Sequence, residues 1–321
     1  VYIKIFSSQM QEGRGEMSHD FDYEFLTNQS ITDTSYVDDQ GDLNRVVIVP
    51  DDQAKIYVPD YKKIISNDIT DQLKRNPQIR MVNEYLDSNE LYLLDAPSAE
   101  EDPYNSCYMN DAEMNASLKD LFNITLPTRS VQYLGYSEEE LKSMEQYVMS
   151  GSINVEKIRS GEEVILMVPT YEFVQMDGYY QQNFLTPEEY TGVEGQFKES
   201  HYAVGDVLHL IQLVPKNTGM NGYITEEQAR SNLVRKDASV KIGAIIYQRI
   251  AWFDTLSVPP MAYTLIGANE SFQSLNIAPT HSRIRISLKQ GVSYQDFEPE
   301  IQYYAGLLKA VSYTHLTLPT T

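Results

Sequence analysis

The sequence predicts an α+β fold in which strand-rich parts are combined with a few amphipathic helices. Three observations support this prediction: short alternating or apolar runs typical of strands, helical spacing beside capping residues, and enough apolar side chains for a core. Hydrophobic residues make up 42% of the 321 residues, and 24 residues are tyrosine. A chain of this composition can bury a core and is not disordered throughout. Its length is that of about two domains.

The first 128 residues have the pattern of an acidic, strand-rich unit with one helix. Tyr23 and Phe25 alternate with acidic residues, which is typical of a half-buried strand. Isoleucine and leucine recur at four-residue spacing over 65–73, and a following proline ends the predicted helix. Strands are then predicted at 79–86 and 90–94, joined by a polar turn.

The middle of the chain has the clearest helix signal. Ser137 and Glu140 form a capping-box pair. An apolar stripe of leucine, methionine and valine behind them predicts a helix that ends at Gly151. A buried strand is predicted at 163–168, and residues 170–203 are predicted to form a long aromatic hairpin or surface excursion.

The last third adds strands and a closing helix. Strands are predicted in four places, at 207–214, 241–248, 264–266 and 283–288. A capped helical turn is predicted at 269–275. An amphipathic helix is predicted at 296–309, and Pro299 fits it only in the first turn.

The charge balance argues against nucleic acid as a partner. Asp and Glu number 46 against 25 Lys and Arg, which gives a formal net charge of −21. A surface of that sign repels phosphate backbones and anionic lipid headgroups. No apolar run in the sequence approaches the ~20 residues that span a bilayer. The single cysteine, Cys107, excludes an internal disulfide.

Motifs for covalent chemistry are missing from the sequence. It contains no P-loop, GxGxxG, GxSxG or HExxH motif, and Cys107 has no evident base beside it. The acidic run Asp38–Asp42 lacks the spacing and closing glutamate of an EF-hand loop, so a solvated loop is favoured over a calcium site. We therefore assign no catalytic, cofactor-binding or metal-ligating residue, and we expect no cofactor and no enzymatic activity.

Tyrosines between Tyr171 and Tyr190 offer a contact surface for carbohydrate or peptide, because tyrosine combines apolar area with a polar tip. Packing of this loop on its own sheet is the favoured interpretation. A surface hydrolase is a further alternative, but it would need two close carboxylates with separated pKa values, and the sequence shows no such pair.

The two ends of the sequence are expected to lie inside a longer gene. The chain begins with Val1 rather than methionine. Residues 311–321, VSYTHLTLPTT, resemble one reading frame of a transposon adapter used in sequencing libraries. We therefore expect 311–321 to be a translated adapter and not native, with a natural threonine-rich terminus as the alternative.

Five segments follow one another in a recognisable order. They are 68–85, 133–166, 202–210 (YAVGDVLHL), 240–246 (VKIGAII) and 262–288 with the helix after it. In this order they resemble the extracellular core domain of FtsX/MacB-like ABC transporter permeases, and together they span most of residues 20–310. The long insertions at 95–128 and 170–203 depart from the family pattern.

The resemblance implies a specific α+β architecture. A porter-like α/β sandwich subdomain would be formed by both chain ends, from 20–128 and 255–310. A β-rich subdomain would be inserted between them at 129–254, and residues 1–19 would be a membrane-proximal segment. The flanking chain would continue into membrane helices.

The resemblance also implies a function without covalent chemistry. The segment would lie on the extracellular side of the cell membrane, in a Gram-positive bacterium. It would work with a cytoplasmic ABC ATPase subunit, as a permease dimer, and would couple movement of membrane helices to substrate export or to mechanotransmission. An extracellular protein, peptide or lipid would be its outer partner, and nucleic acid would not. The alternative is a secreted or surface-anchored non-catalytic binding module that uses the tyrosine-rich face.

Overall fold

The computed structural model describes residues 2–5, 23–26, 33–37, 43–47, 56–58, 61, 65–94, 96, 119–124, 128–168, 171–176, 179–184, 200–217, 220–247, 263–307 and 312–314. These residues form an α+β fold with one 11-stranded sheet and three two-stranded sheets. Among the described helices, none is both long enough and apolar enough to cross a bilayer.

The strands, in chain order, are β1 (Tyr2–Ile5), β2 (Tyr23–Leu26), β3 (Asp33–Val37), β4 (Leu43–Val47), β5 (Ile56–Val58), β6 (Ile79–Leu94), β7 (Thr128–Tyr136), β8 (Val148–Gly151), β9 (Glu163–Val168), β10 (Tyr171–Met176), β11 (Tyr179–Phe184), β12 (Val207–Pro215), β13 (Gly222–Ile224), β14 (Leu233–Tyr247), β15 (Thr264–Ala268), β16 (His281–Leu288) and β17 (Ser312–Thr314). The helices are α1 (Asn67–Arg75), α2 (Glu138–Ser143), α3 (Val155–Ser160), α4 (Glu226–Asn232), α5 (Ser271–Ser274) and α6 (Tyr294–Leu307).

Six strands of the large sheet close into a barrel. Their order is β12, β14, β9, β15, β7 and β6, and β6 pairs again with β12. The pairs β14–β9 and β15–β7 are parallel, and the other pairs are antiparallel. Alternate residues of these strands form a single apolar cluster that includes Leu91, Leu93, Val131, Tyr133, Val164, Leu166, Leu208, Leu210, Val240, Ile242 and Leu265. Closure leaves the barrel strands without a free edge over their paired lengths.

Tyr133 is a fully buried tyrosine inside this cluster. Its hydroxyl lies 2.7 Å from the Ser271 hydroxyl, which donates to the Ala268 carbonyl at 2.6 Å. Burial raises the pKa of the Tyr133 hydroxyl, and the hydrogen bond with Ser271 only partly offsets that rise. The ring packs edge-to-face on Phe272, with 5.0 Å between centroids. Tyr133 therefore links the barrel interior to the α5 turn that follows β15.

Two further layers cover the outer faces of the barrel. The segment from α2 to α3 packs on one face, where Leu141, Met144 and Ile158 join apolar residues of β7, β9, β14 and β15. On another face, the pair β5–β13 and helix α4 cover apolar residues of β6 and β12.

The other end of the large sheet forms an α/β part with two helices on one face. Here β6 pairs with β16, β16 with β2, and β2 with β1. Helices α1 and α6 pack on this sheet through Ile69, Leu73, Phe297, Ile301 and Tyr304. The Tyr23 ring lies 5.5 Å from the Phe297 ring, centroid to centroid. An early strand and a late helix thus share one core.

Several local predictions are confirmed. Tyr23 and Phe25 are buried in β2, α1 ends just before its proline, and the Ser137–Glu140 capping box is formed. Strand β9 has the predicted bounds, 163–168. The hairpin predicted within 170–203 is present as the antiparallel pair β10–β11.

Three predicted elements are different in the structure. The two strands predicted at 79–86 and 90–94 are one strand, because Asp87 and Ser88 make buried hydrogen bonds instead of forming a turn. The helix predicted to reach Gly151 ends at Ser143, because the chain tightens there into a 3₁₀ turn, Met144–Tyr147, and then pairs as β8, with Val148 opposite Ile246. Pro299 is the sixth residue of α6, not in its first turn. The helix begins early because Ser293 accepts a hydrogen bond from the Asp296 amide.

The large sheet contains strands from each subdomain that the sequence resemblance implies. β7 and β9 lie within residues 129–254 almost entirely, and both pair with β15, which lies within 255–310. β17 lies in the segment 311–321 and pairs in parallel with β1. The subdomain boundaries and the adapter origin of 311–321 stay predictions.

We predict that Gly267→Ala destabilises the chain while Gly306→Ala does not. A Cβ at Gly267 would lie 2.0 Å from the Tyr133 hydroxyl oxygen, whereas a Cβ at Gly306 has nothing within 4 Å. Overpacking at Gly267 is expected to lower the free energy of unfolding by about 1–3 kcal/mol. Gly306→Ala in helix α6 is expected to raise it by about 0.5 kcal/mol. Urea unfolding followed by circular dichroism measures both; equal effects would contradict the barrel packing.

Candidate functional site: a polar junction on strand β6

Strand β6 is shared by the α/β part and the barrel, and its partner on one edge changes along its length. Residues 79–87 pair with β16, and residues 91–93 pair with β12. On the other edge, β7 pairs with residues 86–88 and 91–94, with an irregular register between Ser88 and Leu91. Polar side chains gather where the partners change. We call this set the junction; it comprises Tyr85, Asp87, Ser88, Glu140, Gln212, Asn269, Thr280, His281, Arg283 and Arg285.

A buried Asp–His pair marks the last rung between β6 and β16. Asp87 and His281 stand directly opposite each other in the register. Asp87 Oδ1 lies 2.9 Å from His281 Nδ1, and the side chains are 6% and 11% exposed. The Thr280 amide also donates to the Asp87 carbonyl at 2.8 Å. Buried polar groups need such partners, because an unpaired one would carry its full desolvation cost.

The side-chain amide of Gln212 fills the gap beyond this rung. Its Nε2 donates to the Ala278 carbonyl at 2.7 Å and to the Ser88 hydroxyl at 3.0 Å. Its Oε1 accepts from the Ala278 amide at 2.8 Å. Gln212 is 1% exposed. The side-chain amide of Gln212 therefore bonds to both the carbonyl and the N–H of Ala278, as the backbone of a neighbouring strand would.

On the barrel side, Glu140 ties helix α2 to β6. Its carboxylate accepts a hydrogen bond from the Tyr85 hydroxyl, and it accepts from the Ser137 amide at 3.1 Å and the Ser137 hydroxyl at 2.7 Å. Glu140 is 3% exposed. The capping box predicted from the sequence thus also connects two layers of the fold.

Two arginines of β16 lie over the Tyr85 ring. The guanidinium carbons of Arg283 and Arg285 are 5.4 and 5.2 Å from the ring centroid. This geometry is that of cation–π contacts. Ile284 and Ile286 alternate with them and face the helices α1 and α6. Strand β16 is buried along its whole length, and it carries arginines on one face and isoleucines on the other.

Asn269 makes a further link from β15 to the backbone of β6. Its Oδ1 accepts from the Leu86 amide at 3.1 Å, and its Nδ2 donates to the Glu84 carbonyl at 2.7 Å. The predicted helical turn after β15 is present as α5, but Asn269 does not cap it; Glu270 is the N-cap and makes no side-chain cap bond. Gly135 leaves the room for Asn269, since a Cβ there would lie 2.6 Å from Asn269 Oδ1.

The other sequence features of interest lie elsewhere. Cys107 and the acidic run 38–42 fall outside the described residues, as do the side chains of the tyrosine-rich segment 171–190. Within the described part of the chain, no three His, Cys, Asp or Glu side chains come together to hold a metal ion. The junction residues Asp87, Gln212 and His281 were not singled out by sequence reasoning; the polar pair Asp87–Ser88 inside an apolar stretch was the available signal.

We predict a favourable coupling between Tyr85 and Glu140. Tyr85→Phe and Glu140→Ala are each expected to lower the free energy of unfolding by about 1–3 kcal/mol, because each leaves a buried polar group with one partner fewer. The double variant should lose less than the sum, with a coupling of about 0.5–3 kcal/mol. Denaturant unfolding of the four proteins gives this value.

The matched control for that cycle is Glu139→Ala. Glu139 is the exposed neighbour of Glu140 on the same helix. Its replacement is expected to change the free energy of unfolding by less than about 0.5 kcal/mol. Strictly additive losses at Tyr85 and Glu140 would mean that the link between β6 and α2 contributes nothing to stability.

Comparison with known proteins gives structural neighbours only. No protein-family model and no curated protein matches the chain. The periplasmic region of MacB from Actinobacillus actinomycetemcomitans is 8% identical, with 75% of this chain and 73% of that chain covered and a TM-score of 0.32. The extracellular domain of the noncanonic ABC-type transporter YknZ from Gram-positive bacteria is 8% identical, with 79% and 90% covered and a TM-score of 0.33.

A third solved structure is a domain of a protein assigned as a permease from Porphyromonas gingivalis. It is 9% identical, with 84% of this chain and 76% of that chain covered and a TM-score of 0.30. These three neighbours are a periplasmic region, an extracellular transporter domain and a permease domain, each under 10% identical to this chain.

Proposed function

We propose that this chain is the extracellular domain of an ABC transporter permease that relays nucleotide-driven movement of membrane helices to substrate export or to signalling outside the membrane. The observation that carries the proposal is the continuity of β6. One strand belongs to both the α/β part and the barrel, and the junction holds the two together. Displacement applied to one part is therefore delivered to the other.

The packing of an early strand on a late helix supports the same function. Strand β2 and helix α6 are far apart in sequence but pack in one core, with Tyr23 on Phe297 and Phe25 on Tyr304. A domain inserted between two membrane helices needs its two connections on the same part of the fold. In this proposal the α/β part is proximal to the membrane, and the barrel is distal.

The mechanism would be a rigid-body movement rather than chemistry. A cytoplasmic ATPase subunit would close on ATP and shift the membrane helices, and a two-state element responds to such a bias by a change of population. The buried links of the junction suit this role, since their rupture would leave polar groups unpaired inside the protein. A permease dimer and an outer protein, peptide or lipid partner complete the proposed assembly.

A binding module is the second candidate, and one observation favours it. The antiparallel pair β10–β11 joins no other strand within the described residues. A two-stranded hairpin needs further packing for stability. In a secreted or anchored module, the tyrosine-rich segment 171–190 would obtain that packing from a bound partner.

The proposal predicts which distances change with nucleotide. The full-length gene would be expressed with its ATPase, with Cys107 and any cysteine of the flanking chain replaced by serine. Spin labels would be placed at Glu162→Cys on the barrel and Gln302→Cys on α6, both exposed positions. Pulsed dipolar spectroscopy would measure the distances between these labels. Trapping ATP should shift the distance between the Gln302→Cys labels of the two protomers. It should leave the distance from Glu162→Cys to Gln302→Cys within one protomer unchanged.

The control is the same transporter with an ATPase variant that does not bind nucleotide. It should show no shift at either label pair. Failure of any ATPase to assemble with the chain, or an interprotomer distance that ignores nucleotide, would contradict the relay and favour the binding module.

A further inference from the structure

We propose that the end of the barrel farthest from the α/β part is a docking surface for a basic, amphipathic segment of a partner polypeptide. Met149, Val204 and Val207, which we call the distal patch, would make the apolar contact. Acidic connections that leave the barrel at the same end would attract the basic groups. The proposal rests on the proposed function in one respect, which is that it takes this segment to belong to the outer partner.

The directions of the strands sort the connections of the barrel between its two ends. The pairings make β6, β9 and β14 run one way and β7, β12 and β15 the other. β6 enters from the α/β part, so β6, β9 and β14 all finish at the far end. Three connections therefore begin and finish at the far end: 95–127, 169–206 and 248–263. The connections 137–162 and 216–232 begin and finish at the near end.

The connections of the far end are much more acidic than those of the near end. Outside residues 119–124, which pack back on the side of the barrel, the far-end connections contain 14 acidic and 2 basic residues. The near-end connections contain 8 acidic and 5 basic residues. A surplus of negative charge at one end of a protein attracts and orients a basic partner.

The described residues at the far end also expose apolar side chains. Val204 and Val207, just before and at the start of β12, are 38% and 52% exposed, and Met149 of β8 is 60% exposed. Strand β8 pairs with residues 244–246, close to the far end of β14. The two segments adjoin, since a Cβ on Gly151 would lie 2.9 Å from Val204 Cγ2. Exposed apolar groups that are rimmed by polar ones mark interaction sites.

The charge of the far end selects the occupant of the distal patch. A second copy of this chain would bring an equally acidic end against the first, and anionic lipid headgroups would be repelled in the same way. A polypeptide segment in which lysine or arginine alternates with apolar residues meets both features. Its apolar side chains would be buried on the distal patch, and its cations would lie among the acidic connections.

The first test is binding of a short fluorescent peptide of alternating lysine and leucine to the 321-residue chain, followed by fluorescence anisotropy. The chain is expected to bind this peptide and not a glutamate–leucine peptide of the same length. Met149→Lys combined with Val207→Lys should weaken binding about tenfold or more, because it removes the apolar contact and adds like charge. Absence of binding to the parent chain would overturn the proposal.

The matched control is Val234→Lys combined with Leu307→Lys. It adds the same two charges at exposed apolar positions away from the far end, at the start of β14 and at the end of α6. Binding of the lysine–leucine peptide should change less than about twofold. Equal weakening in the two double variants would mean that the peptide responds to the net charge alone, which would overturn the proposal.

A second pair of variants tests the acidic connections. Glu100→Gln with Glu101→Gln removes two charges from a far-end connection, and Glu226→Gln with Glu227→Gln removes two from a near-end connection. Only the first pair is expected to weaken binding, by about threefold, and to reduce its dependence on salt. Equal effects of the two pairs would contradict attraction by the far end.

Hydrogen exchange on the unaltered chain keeps the test decisive if a lysine variant does not fold. The lysine–leucine peptide should slow amide exchange at 148–151 and 204–207 and leave 226–232 unchanged. Protection at 226–232 alone, or no protection, would overturn the proposal. So would sedimentation of the chain with phosphatidylcholine–phosphatidylglycerol vesicles that Met149→Lys with Val207→Lys abolishes, because the distal patch would then contact lipid.

These measurements use neither the ATPase nor the membrane helices, so the docking surface and the relay are tested separately. Peptide binding at the distal patch, together with an interprotomer distance that ignores nucleotide, would remove the relay and leave the docking surface. A distance that responds to nucleotide in a chain that does not bind the lysine–leucine peptide would leave the relay and remove the docking surface.

Discussion

The backbone N–H and C=O groups of strand β6 need hydrogen-bond partners on both edges. On one of these edges the neighbouring strand changes from β16 to β12. A strand of 16 residues that passes between two packing environments cannot be apolar throughout, because the exchange of partners leaves backbone groups without a ladder. Side chains meet part of this constraint. Asn269 bonds to the backbone of β6 at residues 84 and 86, whereas Gln212 bonds to the Ser88 hydroxyl of β6 and to the backbone of Ala278, outside the strand. Most other features of the structure are arranged around this strand.

The same constraint accounts for the charged residues in the interior. Buried arginines are costly unless their charge is compensated. Arg283 and Arg285 stack on Tyr85, whose hydroxyl donates to the buried carboxylate of Glu140. Two guanidinium groups and one carboxyl group thus contact a single tyrosine side chain. The opposite face of β16 carries isoleucines that pack on α1 and α6. The polar face of β16 determines which elements it contacts, and its apolar face contributes the free energy of hydrophobic burial.

Local signals in the sequence were sufficient for elements that are fixed by nearby residues. Alternation identified Tyr23 and Phe25, and the hydroxyl and carboxylate of Ser137 and Glu140 identified the start of α2. The junction could not be predicted from such local signals. Asp87 meets His281 at a separation of 194 residues, so Asp87 and Ser88 looked like a turn between two strands. Barrel closure could not be predicted from local patterns either, because the alternation that identifies a strand does not indicate which strand it pairs with.

The order in which the partners of β6 are made has a consequence for biosynthesis. β6 is complete at residue 94, but its partners end only at residues 136, 215 and 288. Until those segments emerge from the ribosome, both edges of a long, largely apolar strand have no native ladder. Pairings of such large sequence separation form slowly, and strands that wait for them tend to pair wrongly or aggregate. At least one edge of β6 therefore has no native partner from residue 94 until residue 288 has been made, and chaperones would protect the nascent domain over that interval.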